Sequence, residues 1–99
     1  MVGLFYQHYF FMEEQVTGLI EEGKFDEAIA LISQAIVSNN EDDRLYFLRG
    51  KVHWKKGMRK EAMNDYASAI RLNPDSPAKI AMEQARAVAS FFNPDLLNP

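Results

Sequence analysis

Laid over residues 43–76, residues 9–42 of this chain fall on like residues again and again. At this offset of 34, Gly23 lands on Gly57, Glu27 on Glu61, Ala28 on Ala62, Ala35 on Ala69, Ile36 on Ile70 and Asn39 on Asn73. A fixed period of this size marks a repeat architecture, in which each unit is one supersecondary motif that stacks on the next to bury a shared core. Within each unit the apolar residues recur at three- and four-residue spacing and nothing alternates as a strand would, so the motif is a helical hairpin and no sheet is expected.

The pattern predicts five helices. The first runs from about Met12, or from further upstream, to Glu22, where Gly23 supplies the turn that ends it. The second spans about Phe25 to Ser38 with an apolar stripe of Ala28, Ile29, Leu31, Ile32, Ala35 and Ile36. The polar run Ser38–Asp42 breaks the chain with capping side chains. The third helix covers about Asp43 to Lys56 and closes at Gly57; the fourth covers about Arg59 to Leu72, with Ala62, Met63, Tyr66, Ala69 and Ile70 facing inward. Asn73–Pro74 stops it, because proline disfavours helix in the residue before it. Ser76 followed by Pro77 reads as an N-cap and a first helical residue. The fifth helix runs to about Phe92 on an inward stripe of Ala81, Ala85, Val88 and Phe92, with Phe91 and Phe92 capping the core, and residues 93–99 form an irregular tail.

With 99 residues one domain is expected. The chain has no cysteine, which excludes disulfides, cysteine-based zinc sites and a thiol nucleophile, and fits a cytoplasmic setting. No apolar run reaches the length of a membrane span, and residues 1–11, though apolar and aromatic, lack the basic start and small-residue cleavage site of a secretory signal. Those residues are either an N-terminal extension outside the fold or a lengthening of the first helix that covers its outer face; both readings are open. Net charge is −3 but unevenly placed: residues 1–42 carry one Lys and eight acids, a balance of −7, whereas residues 43–76 carry eight basic side chains and four acids, a balance of +4. Such asymmetry can steer a charged partner, or can simply solvate two faces of opposite sign.

The second unit, DDRLYFLRGKVHWKKGMRKEAMNDYASAIRLNPDS, resembles a tetratricopeptide repeat. Tyr46 stands at the first aromatic position, Gly50 at the small helix-crossing position with Ala62 as the small residue facing it, Tyr66 at the second-helix aromatic, Ala69 at the next small contact and Pro74 at the close. Arg49 departs from the usual leucine and His53 from the third aromatic. The first unit is a poorer copy. Ala28 and Ala35 match and Met12, Leu19 and Ile32 are suitably apolar, but Val16 replaces glycine, Gln15 leucine and Asn40 proline, so either the first helix sits further from its partner or Gly18 serves as the close contact. The resemblance implies an all-α, right-handed superhelix of two helix–turn–helix repeats, 9–42 and 43–76, with residues 77–92 as a capping helix. The short chain and its NPDLLNP tail are also similar to small stand-alone two-repeat proteins of bacteria. Two units are fewer than the roughly three usually needed, so the fifth helix must cover one open side, and the aromatic extension or a second copy of the chain the other.

In the family, first helices of successive units line a concave groove that holds a peptide. Carried onto the third helix, that lining is Arg44, Phe47, Lys51, Trp54 and Lys55, a basic and aromatic stripe suited to a peptide with carboxylates and an apolar anchor. Phe47 and Trp54 can equally be packing residues. The first helix offers Phe10, Glu13, Thr17, Ile20 and Glu21, which is acidic; the family's clamp for chaperone carboxyl tails needs Lys and Asn where Glu13 and Thr17 stand, so that ligand class is not expected. Lys51, His53, Lys55, Lys56, Arg59 and Lys60 cluster around Trp54 as a nucleic-acid reader's residues would, but the acidic total and short run favour a protein partner over nucleic acid or membrane. His8 and His53 are the only histidines, and Glu21, Glu22, Asp26 and Glu27 are surface carboxylates with nothing to desolvate them. Neither a metal-ligand spacing nor a phosphate loop is present, so no cofactor, metal or catalysis is expected. The expected function is a non-catalytic protein–protein interaction module; the alternative is a self-associating homodimer whose apolar ends pair.

Overall fold

The computed structural model describes the backbone of residues 2–92 and the side chains of residues 9–91. The chain forms five helices, α1 (Val2–Glu21), α2 (Phe25–Ser38), α3 (Asp43–Lys56), α4 (Arg59–Leu72) and α5 (Ala78–Phe92), with no strand among the described residues. The bounds of α2, α3 and α4 are those the sequence pattern gives. α1 runs back to Val2 in one piece. Residues 4–12 contain neither proline nor glycine, so nothing local stops it. The side chains of His8 and Phe92 and the tail 93–99 lie outside the described residues.

Both hairpin turns are made the same way. Gly23 and Gly57 take φ of +76° and +92°, a region costly for any residue with a Cβ. Around Gly57 the amide of Met58 reaches back to the His53 carbonyl at 2.8 Å and that of Gly57 to Trp54 at 3.0 Å. Around Gly23, Lys24 reaches Leu19 at 2.8 Å and Gly23 reaches Ile20 at 2.9 Å. This paired closure satisfies the last carbonyls of each helix. At the other ends, Asp42 accepts the Arg44 amide to cap α3, and Ser76 Oγ accepts the Ala78 amide at 3.1 Å to cap α5.

Each helix packs on its neighbours in sequence, most extensively α3 on α4. The result is elongated, 50 × 31 × 19 Å with a radius of gyration of 14.3 Å. Two apolar clusters fill it. One joins Val16, Ala28, Ile32 and Ile36 to Leu45, Leu48 and Val52 of α3; the other joins Ala62, Tyr66 and Ala69 to Ala78, Met82 and Ala85 of α5. Tyr46 packs against both, and its hydroxyl donates to the Asn40 carbonyl at 3.1 Å.

Three details differ from expectation. Gly50 lies hard against the ring of Tyr66 and Cβ of Asp65, contacts the pattern did not name: a Cβ there would lie 2.6 Å from the ring and 3.2 Å from Asp65 Cβ. Gly18 is not a substitute contact, since a Cβ there meets nothing within 4 Å; the fully buried Val16 fills that crossing. The buried stripe of α5 is Ala78, Met82 and Ala85, with Ala81 and Val88 only half-buried, and Phe91 is 81 % exposed instead of capping the core. Alanines almost encircle α5, so apolar spacing alone does not choose a face; the long Met82 side chain turned toward α4 does.

Candidate functional site

The two residues that depart from the repeat pattern, Arg49 and His53, meet at a third that sequence reasoning missed. Asp65 of α4 is 4 % exposed. Arg49 donates to it through Nε at 3.0 Å and Nη2 at 2.7 Å, and Arg49 Nη1 reaches Ser33 Oγ of α2 at 3.1 Å. His53 Nδ1 lies 2.8 Å from Asp65 Oδ2, and since a carboxylate only accepts, Nδ1 carries the hydrogen. Hydrogen bonding to Asp65 holds the Arg49 guanidinium charged above its ordinary range. The network ties α2, α3 and α4 together, and among the described residues no buried side-chain nitrogen or oxygen lacks a partner. It turns His53 inward, away from the basic residues grouped around Trp54. Arg49 and His53 at two inward repeat positions call for an acceptor opposite, but nothing in the sequence near Asp65 marks it as that acceptor.

The stripe residues of α3 divide by environment. Lys51 and Lys55 are exposed, and Lys51 Nζ stands 4.7 Å above the ring of Phe47. Phe47 and Trp54 are half-buried and pack against the α4–α5 cluster; Phe47 lies 6.1 Å from Tyr66 ring to ring. Arg59, from the start of α4, sits 5.7 Å over Trp54, a cation the stripe did not include. Arg44 is engaged elsewhere. Its guanidinium donates to both oxygens of Asp42, at 3.0 and 2.8 Å, and lies 4.4 Å over the ring of Tyr9 on α1. Hydrogen bonds from Arg44 hold the Asp42 carboxyl below its usual range despite partial burial. Burial, and then the Glu13 carboxylate, push the Tyr9 hydroxyl well above its own. On α1, Phe10 is 58 % exposed and Thr17 returns its hydroxyl to the Glu13 carbonyl at 2.9 Å.

A cleft of about 510 Å³ lies between the middle of α1, from Tyr9 to Gln15, and the second half of α2, with Arg44 and Leu45 also on its wall. Among the described residues no group of three or more potential ligands could hold a metal ion, and no helix is long and apolar enough to cross a membrane.

Family models match this chain twice, one described as a TPR repeat over residues 19–57 and one as a tetratricopeptide repeat over residues 43–76. The chain belongs to the tetratricopeptide repeat family. Such repeats generally mediate protein–protein interactions and are generally non-catalytic. In tetratricopeptide terms, Arg49 and His53 occupy the leucine and third aromatic sites, and Asp65 makes both acceptable in the core. No curated protein matches the chain.

Proposed function

We propose that the chain is a non-catalytic recognition module that holds an acidic peptide along α3. Lys51 and Lys55 meet its carboxylates, and Phe47 and Trp54 form a half-buried floor for one apolar side chain. The observation that carries this reading is the pairing of exposed cations with rings that are only half-covered, Lys51 over Phe47 and Arg59 over Trp54. Half-covered rings still have area to bury, and cations beside them add charge-assisted contacts to a partner's carboxylates. Arg44, already joined to Asp42 and Tyr9, contributes least of the five. A cytoplasmic location fits a chain without cysteine.

Trp54 is the only tryptophan and reports directly on this surface. Titration with short synthetic peptides of Asp and Glu carrying one Leu or Phe should shift its fluorescence, the more so at low salt. The double change Lys51→Glu, Lys55→Glu should abolish the response while the helical circular dichroism stays intact. Equal responses in wild type and double variant, or none in either, would overturn the reading.

A further inference from the structure

The cleft between α1 and α2 has a counterpart inside the molecule, and that counterpart is occupied. Shifted by 34 residues, its lining residues Phe11, Met12 and Gln15 fall on Leu45, Tyr46 and Arg49. On the second hairpin those three are covered by the first. Leu45 is 3 % exposed within the α1–α2–α3 core, Tyr46 packs against that core, and Arg49 bonds Ser33 of α2. The cleft is therefore the face on which a preceding helix would lie, one repeat earlier. Phe11 on its wall is 62 % exposed. Where the second hairpin offers the charged Arg49 and Asp65, the cleft offers the neutral Gln15 and Leu31, so it asks for a helix face without a matching charge.

The other end of the stack presents such a helix. α5 turns Ala78, Met82 and Ala85 to α4, and on its opposite side carries Ile80, Ala87 and Phe91 at the spacing of a second helical stripe. Ile80 is 62 % exposed and Phe91 81 %. Gln84 lies in the same stripe, a neutral amide that suits Gln15 and Gln34 of the cleft.

We propose that the outer stripe of α5 in one copy of the chain lies in the α1–α2 cleft of the next, so that the protein assembles head to tail. Charge selects this arrangement over the symmetric ones. The cleft belongs to the α1–α2 hairpin, whose residues 2–38 carry six acids and one Lys, whereas α5 carries Lys79 and Arg86 against Glu83. Cleft against cleft sets two acidic ends together, and α5 against α5 two basic ends; only head to tail joins opposite signs. A heterologous contact of this kind does not close at two copies but propagates. The α3 stripe is not used, so this assembly and peptide binding are separate properties.

Sedimentation velocity of the full chain, from micromolar to millimolar, tests it. The mean mass should climb past that of a dimer with concentration and fall with added salt. Phe11→Lys blocks the cleft and Ile80→Glu the stripe. Both sites are exposed and both replacements are good helix formers, so thermal melts should match wild type. Each variant alone should associate about tenfold more weakly or worse, as a charge set in an apolar contact requires. Mixed, they should form a one-to-one pair that stops at two, since each keeps one working end. A wild type that stays monomeric at the highest concentration overturns the proposal. So does a closed dimer that survives Phe11→Lys, which would place α5 on α5, or one that survives Ile80→Glu, which would place cleft on cleft. Both variants should keep the Trp54 response to acidic peptide, so failure of the assembly and failure of the peptide reading are told apart.

Discussion

The two hairpins solve one packing problem with different chemistry. At the crossing of the second, Gly50 admits the ring of Tyr66; at the crossing of the first, the corresponding pair is Val16 and Ile32. One contact sets nothing against something large, the other two branched side chains of middling size. Around the crossing, the second hairpin joins the half-buried Arg49 to the buried His53 and Asp65, and the first has Gln15, Leu19 and Leu31 at the same places. The second helices of the two hairpins begin alike, α2 at Lys24 and α4 at Met58 without a side-chain cap, and it is α3 that a carboxylate closes, that of Asp42. A hairpin of this shape therefore requires complementary volume and satisfied polar groups at its crossing, not particular residues. The polar version sets the register of three helices at once, but desolvation leaves it weakly stabilising overall and fragile to the loss of one member.

The sharpest break of this comparison is to transplant one chemistry into the other. Asp65→Leu, which copies Leu31 alone, strands a guanidinium and an imidazole and should lower stability by about 3–5 kcal/mol. Adding Arg49→Gln and His53→Leu, so that all three match the first hairpin, should recover most of that loss. Urea midpoints compare the three proteins, and a triple variant no more stable than the single one would show that the hairpins are not interchangeable. Next in size, Gly50→Val drives a branched side chain into Tyr66 and should cost about 1–3 kcal/mol. Joined to Tyr66→Ile it rebuilds the Val16–Ile32 contact, and the thermal midpoint should rise again.

Acid separates the hairpins more gently. Because Arg44 holds the folded Asp42 carboxyl below its ordinary value of 3.8, this stabilisation is complete above that value and disappears as pH falls through the lower, folded one. Asp42→Ala should cost about 1 kcal/mol near neutrality and remove that part of the acid dependence, measured as thermal midpoints along a pH series. The smallest effect belongs to the ion pair between Lys56, at the end of α3, and Asp26, at the start of α2. Asp26 is largely exposed, and Lys56→Ala should move the urea midpoint by less than about 0.5 kcal/mol.

Much of this was legible in the residues because it depends on near neighbours. Glycines at 23 and 57 and stripes at helical spacing place α2, α3 and α4 without any knowledge of packing. The upstream limit of α1 was not legible, since an aromatic run without a cap or breaker carries no start signal. Nor was Asp65: between Asn64 and Tyr66 it reads as a surface acid, and its burial follows from Arg49 and His53, 16 and 12 residues away. The stripe on α3 follows from spacing alone, but Arg59 over Trp54 and Tyr9 under Arg44 come from neighbouring helices, and one helix's periodicity contains neither.

Tyr46 is the side chain that packs against both apolar clusters, and its hydroxyl is moored to the link between α2 and α3. Stacked repeats otherwise lose structure piecemeal, each unit by its own stability. A ring shared by both halves means that neither can loosen without exposing part of the other, so the melting of this short array is expected to be a joint event, and its amides to exchange with solvent on a common clock.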